Sequence, residues 1–172
     1  MNFEYIELTN DELLNSYIDE ILAIQDACNG SLPEDSWYIP SDKEEFYDYI
    51  NRQNGIVLVA TCGRRVAGVM SAGRDDDHYE QAERGGAVLP SRKYLYLSLV
   101  CVDDQFRGNG LQHELMTRTM EIARTKGYIG CWCRVHPENN YSVRNIEKAG
   151  MDHTSDYITE QGWPRRIYTC KL

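Results

Sequence analysis

The sequence predicts an α/β fold in which strand-like and helix-like segments follow the order β-α-α-β-β-β-α-β-α-β-β. Three observations predict it. Short apolar or alternating runs, such as residues 56–61, 93–102 and 130–135, have the length and period of strands. Between them, apolar residues recur at intervals of three and four, the spacing of one helix face. Finally, the apolar run ending at Val102 passes through Asp103-Asp104-Gln105-Phe106-Arg107-Gly108-Asn109-Gly110 directly into a helical pattern.

Taken in order, residues 3–8 alternate and form a first strand. Asp11 is placed to cap a following helix whose buried face is Leu13, Leu14, Tyr17, Ile18, Ile21, Leu22 and Ile24. Residues 30–40 break the pattern with two prolines and carry Trp37 and Tyr38, and a shorter helix covers residues 42–52. Residues 56–61 and 66–71 form a hairpin across Cys62-Gly63-Arg64-Arg65. Residues 73–91 read as a polar excursion holding Asp75, Asp76, Asp77, His78, Glu80 and Glu83. Residues 93–102 are apolar on both faces, as a central strand should be. A third helix spans residues 111–126 and ends in Arg124, Lys126 and Gly127, a basic last turn followed by glycine. Residues 130–135 are a strand and residues 139–149 the last helix. Two closing strands flank Glu160-Gln161-Gly162-Trp163-Pro164.

At 172 residues the chain fits a single domain spanning residues 1–172. Its formal charge of −9 repels nucleic-acid phosphates and favours a cationic acceptor. No apolar run approaches the roughly 20 residues of a membrane helix, and the acidic N-terminus is unlike a signal peptide, so a cytoplasmic location is expected. Of six cysteines, Cys28, Cys62, Cys101 and Cys170 each stand alone in apolar segments. Cys131 and Cys133 share one strand face and are too close for a Cys-x-x-Cys zinc pair, so the expectation is reduced thiols and no metal.

The strand-loop-helix junction is built for an anion. Backbone N–H groups at a helix start converge there and the dipole adds partial positive charge. A Walker loop would need Lys-Ser/Thr after Gly110, and a dinucleotide fingerprint would need glycine where His113 stands. What remains, Arg107-Gly108-Asn109-Gly110-Leu111-Gln112, resembles the acetyl-CoA loop of the GNAT-type N-acetyltransferase superfamily, Arg/Gln-x-x-Gly-x-Gly/Ala, with Gln112 departing from the usual small residue. A later segment resembles the family's Asn-x-x-Ala-x-x-Leu-Tyr-Glu-Lys-x-Gly-Phe. Asn139, Glu147, Lys148 and Gly150 match it, with Ser142 and Met151 as near substitutions. The specific part of the likeness covers residues 56–151.

The resemblance implies a mixed, mostly antiparallel central sheet flanked by helices. It also implies an acyltransferase that moves an acetyl group from acetyl-CoA directly to the primary amine of a small molecule or peptide, without a covalent enzyme intermediate. On the same ground, the backbone of Leu99, Val100, Cys101 and Val102 would pair with the pantetheine arm, and one N–H there would polarise the thioester carbonyl. The loop residues Arg107, Gly108, Asn109, Gly110, Leu111 and Gln112 would hold the pyrophosphate, and Asn139 the pantetheine region. The acceptor would lie between the early helices and the last hairpin, where Trp37, Tyr38 and Trp163 could face an ammonium.

A primary amine with a pKa near 10.4 is mostly protonated at pH 7, so a proton acceptor is needed. Tyr94, Tyr96 and Ser98 share one face of the central strand, while His78, Glu80 and Glu83 could fold over from the polar excursion. The sequence leaves these open. In the family a tyrosine of the last helix often protonates the leaving thiolate. Ile146 stands at that position and Tyr141 is the nearby hydroxyl. An alternative reading, motivated by Gln112 and Ile146, is a module that holds acyl-CoA without turnover.

Overall fold

A computed structural model describes residues 1–52 and 54–172. Strands β1 (Glu4–Glu7), β2 (Ile56–Cys62), β3 (Arg65–Gly73), β4 (Tyr94–Val102), β5 (Gly130–Val135), β6 (Asp152–Ile158) and β7 (Pro164–Lys171) form one sheet in the order β1-β2-β3-β4-β5-β7-β6. Every neighbouring pair is antiparallel except β4 and β5, which run parallel. The mixed, mostly antiparallel sheet is therefore present as expected.

Helices α1 (Asp11–Asn15), α2 (Ile18–Gly30) and α3 (Lys43–Asn51) cover one face over β2 to β4. Helix α4 (Asp76–Arg84) covers the same face further along, where Ala82 packs with Tyr96, Trp132, Tyr157 and Ile167. On the opposite face, α5 (Leu111–Thr125) and α6 (Asn140–Lys148) close the largest core, contributing Leu111, Leu115, Met116, Met120, Val143 and Ile146.

Three expectations are corrected. The first long helix is two, broken at Ser16 and Tyr17, and its cap is Asn10, whose side chain accepts from Leu13 N–H at 2.9 Å. The polar excursion contains α4, capped by Asp75 accepting from His78 N–H at 2.9 Å. It was hidden because three consecutive aspartates precede a buried stripe consisting of little more than Tyr79 and Ala82. Nor do the cysteines all stand alone. Cys131 and Cys170 are cross-strand neighbours in the β5–β7 ladder, and Cys28 of α2 meets Cys101 of β4. All six are free thiols.

The feature that shapes the site lies in β4. Ser71 of β3 pairs with Leu99 and Ala72 with Leu97, which leaves Ser98 as a bulged extra residue. The bulge reverses the pleat. Before it, Leu95 and Leu97 face the α5 side; after it, Leu99 and Cys101 face α2. The β4–β5 ladder ends just before this point, holding only Tyr94 to Gly130, Leu95 to Cys131 and Tyr96 to Trp132. Beyond Tyr96 the two parallel strands diverge.

Candidate active site

The divergence opens a cleft of about 520 Å³ through the sheet. Met70, Leu97, Met116, Cys133 and Ile146 line it on the α5–α6 side. Ser98, Trp37, Tyr38 and Arg134 line it on the other. Leu99, Val100, Cys101 and Val102 run along the wall that β5 leaves uncovered. Their backbone groups on that side have no neighbouring strand, and an extended polar arm can use them as a strand would.

The glycine loop sits at the mouth. Gly108 and Gly110 have φ of +81° and +74°, and Gly110 is the residue from which α5 starts. Such left-handed backbone is accessible to glycine at low cost. A Cβ built on Gly110 meets nothing within 4 Å, so the space in front of the helix start is open. The first N–H groups of α5 have no intrahelical acceptor and point toward that space. Arg107 borders the cleft and pairs with Asp104 at 2.6 Å. Asn109 Nδ2 donates back to the Phe106 carbonyl at 2.9 Å, holding the loop's curve, and Leu111 turns into the core. Gln112 is 8% exposed and its Oε1 accepts from Asn145 Nδ2 at 3.1 Å. This ties α5 to α6 along the cleft wall. Asn139 caps α6, accepting from Ser142 N–H at 3.1 Å, and also lines the cleft.

The proposed acid–base residues separate. Ser98 lines the cleft, with Tyr49 beside it. Tyr96 is buried and its hydroxyl accepts from Arg134 Nε at 3.2 Å. Burial pushes its pKa far up, so it is a proton donor rather than a base. Tyr94 does not line the cleft; it packs on Gly130 where β4 and β5 still pair. Tyr141, at the start of α6, is 65% exposed and lines the cleft together with Ile146. His78 binds Asp75 through its ring Nδ1, with its ring 5.2 Å from that of Tyr96. Burial alone would raise the Asp75 pKa, but this bond and the histidine's charge outweigh it and leave the carboxyl below its ordinary range. Glu80 and Glu83 do not line the cleft.

On the side expected for the acceptor, Tyr38 donates to Gln25 Oε1 at 2.7 Å. The buried Gln25 amide also donates to the Ser41 carbonyl at 2.7 Å, which pins the loop carrying Trp37. Trp37 stacks on His136 at 5.3 Å and 16°. Trp163 does not line the cleft, and the cation over its ring is the chain's own Arg165, at 5.7 Å.

Four residues that line or flank the cleft were missed by the sequence reading. Cys28 lines it beside Cys101 and Arg107. A hydrogen bond from Cys101, aided by the nearby Arg107 charge, lowers the Cys28 pKa to about 6 despite burial. Glu138 is the carboxylate among the lining residues, its N–H donating to His136 Nδ1 at 3.2 Å. Arg134 lines the wall and Arg165 lies behind it. Arg134 had a readable signal. In Cys131-Trp132-Cys133-Arg134-Val135 it shares the face of Trp132, a charge on a strand otherwise apolar.

Comparison with known proteins gives one family. The model of the acetyltransferase (GNAT) family matches residues 18–151. Among curated protein sequences none matches the chain. Solved structures that share the fold include an N-acetyltransferase from Staphylococcus aureus Mu50, 17% identical, covering 98% of each chain with a TM-score of 0.70. A ribosomal-protein-alanine N-acetyltransferase from Brucella melitensis is 20% identical, with 97% of this chain and 99% of that one covered and a TM-score of 0.69. An acetyltransferase from Bacillus anthracis str. Ames in complex with acetyl coenzyme A is 16% identical, with 78% and 72% covered and a TM-score of 0.60.

Proposed function

The chain belongs to the acetyltransferase (GNAT) family and is an acetyl-CoA-dependent acyltransferase; from that premise we propose that it acetylates a primary amine within the cleft between β4 and β5. The observation that carries this reading is the open wall of β4 leading down to the glycine-started helix α5. Acetyl-CoA supplies the electrophilic thioester and a thiolate leaving group. The chain's own part is to bind, orient and move protons.

In this reading the N–H groups at the start of α5, with Arg107 beside them, hold the pyrophosphate. The backbone of residues 99–102 orients the pantetheine arm, and one of its N–H groups faces the thioester carbonyl oxygen, where negative charge develops. Asn139 and Gln112 shape the wall along the same arm. The acceptor ammonium must lose a proton before its lone pair can bond to the acetyl carbon. Glu138 takes that proton, directly or through water, and Ser98 at the bulge orients the amine. As the nitrogen–carbon bond forms and the carbon–sulfur bond breaks, Tyr141 offers its hydroxyl proton to the departing sulfur, and the second proton shed by the nitrogen passes through water to restore the tyrosine. It occupies the rim that Ile146, an apolar side chain, cannot serve.

The test is a thermal melt with acetyl-CoA, ATP and NAD in parallel, on the parent and on Gly110→Trp. A ligand at about 100 times its dissociation constant adds about 2.7 kcal/mol, which for a chain of this size raises the melting temperature by roughly 5–10 °C. The parent is expected to respond to acetyl-CoA alone. Gly110→Trp, whose indole would occupy the open space before α5, is expected to keep its circular dichroism spectrum and lose the response. An unchanged response in that variant would overturn the loop assignment. Release of CoA thiol on adding an amine separates catalysis from mere retention of acyl-CoA.

A further inference from the structure

We propose that the acceptor carries a carboxylate beside its amine, and that Arg134 binds that carboxylate at the end of the cleft under α4. The inference rests on the acetyltransferase reading above and specifies its substrate class. Arg134 reaches from β5 toward α4, where three neutral oxygens fix its guanidinium. Nε donates to Tyr96 Oη at 3.2 Å; Nη1 donates to Tyr157 Oη at 2.8 Å and to Gln81 Oε1. None of the three acceptors carries a charge, and the Asp75 carboxylate, which feels the field of Arg134, stands outside ion-pair distance of it. Among the described residues, Nη2 has no acceptor and no carboxylate lies within ion-pair distance of Arg134.

A second guanidinium stands close by in the same condition. Arg165 is 5% exposed and donates to the carbonyls of Ser36 at 2.6 Å and Pro164 at 2.9 Å, again both neutral. Burial first, and then the charge of Arg134, lower its pKa, which places the two cations within each other's field. Arginine stays charged under these conditions. Two like charges largely withdrawn from water, neither in ion-pair contact with a carboxylate, are an arrangement that a bound anion relieves. The chain's own candidate, Asp75, is committed to His78. Trp37 adds another unused donor on the same side of the cleft: its Nε1 is buried with no partner among the described residues. The end of the cleft thus offers donors and positive charge, and an anionic oxygen pair answers both. A planar guanidinium held on three sides presents its free edge to a carboxylate with little further ordering.

The net charge of −9 pointed instead to a cationic acceptor. Those carboxylates are spread over the solvated surface, where screening acts over about 8 Å in physiological salt. Arg165 is buried and Arg134 half-buried in the cleft wall, where screening is weaker than at the surface, and they decide the sign at the site.

The experiment compares matched acceptors that differ only in the carboxylate: each common α-amino acid, its amide, and the corresponding decarboxylated amine. CoA thiol release gives kcat and KM for each. At least one acid is expected to exceed its amide and its amine by 100-fold or more in kcat/KM. Arg134→Gln is expected to remove most of that preference through KM, while its response to acetyl-CoA in a thermal melt stays that of the parent. Arg134→Lys, which keeps the charge and loses the fork, should fall between. Turnover of amides or amines at least as fast as the acids overturns the proposal, as does failure of every acid in a protein that still binds acetyl-CoA. A loss in Arg134→Gln that is equal for acids and amides also overturns it. Failure of acetyl-CoA to stabilise the parent would instead sink the acetyltransferase reading, so the two failures are told apart.

Discussion

Cys28 illustrates how single residues acquire chemistry from neighbours distant in sequence. As a lone cysteine in a helical stretch it looked like a small buried hydrophobe. In the structure it lies 3.6 Å from the Val102 carbonyl and faces Cys101 and Arg107, which together lower its pKa to about 6. An ordinary thiol titrates near 8.5. Lowering means the thiolate forms from a lower pH upward. Alkylation of Cys28 by iodoacetamide, followed by peptide mass spectrometry, should therefore rise through pH 6 and slow when acetyl-CoA fills the cleft. A rise only near pH 8.5 would show that the Cys101 contact does not form. At this scale local pattern in the sequence singled out Arg107, Gly108, Gly110 and Asn139, which the structure places in the loop before α5 and on the cleft wall. It concealed those, such as Arg134, Arg165, Gln25 and Cys28, that matter only because the fold brings them beside one another.

Among the elements, α4 was the least legible and has a clear dependence on its cap. Asp75 accepts from His78 N–H and binds the His78 ring, so it serves the helix start and carries a paired charge. Asp75→Ala removes both and is expected to cost about 1 kcal/mol for the cap, or roughly 2–4 °C in melting temperature. Asp75→Asn keeps a capping oxygen and isolates the charge. Because the folded pKa of Asp75 is lowered, its contribution is fully present above the ordinary carboxylate pKa of about 3.9 and is lost as the pH falls through the folded value. Urea denaturation should show the parent ahead of Asp75→Asn at pH 7, with the gap closing in acid. A gap that is constant with pH would mean that the pair contributes nothing. The other elements were read from the sequence with shifts of one to a few residues. Strands β2 to β5 and helices α5 and α6 each carry a strong apolar period and a clear stop, such as Gly127 or Gly150. The break between α1 and α2 was hidden because Leu14, Ile18 and Ile21 keep one apolar stripe running across it.

For the molecule as a whole, the sheet is two antiparallel blocks joined at a short parallel seam. Gly130 sits at that seam. A Cβ there would stand 2.3 Å from Tyr94 Cε2 and 2.6 Å from the Cys170 carbonyl oxygen, so the neighbours on both sides would have to move. Gly130→Ala is expected to lose about 1–3 kcal/mol, as overpacked cores do, with β4 pushed away from β5. A urea midpoint equal to that of the parent would mean that the Tyr94 ring yields freely. The architecture was legible because the order of elements and two motifs survive in the sequence. The seam was not, because a parallel pairing that stops after three residues leaves no mark in composition or period.

That early stop gives the protein an exposed strand edge in its interior. An unpaired edge on the outside of a sheet invites another chain to add to it, which is how many β-proteins aggregate. Here the bare edge of residues 97–102 faces the cleft between β4 and β5 rather than the rim of the sheet. A second β-strand would need room for side chains on both of its faces, while a single chain of amide units without side chains needs far less. The molecule can keep its most adhesive backbone permanently open to a small guest and closed to its own kind.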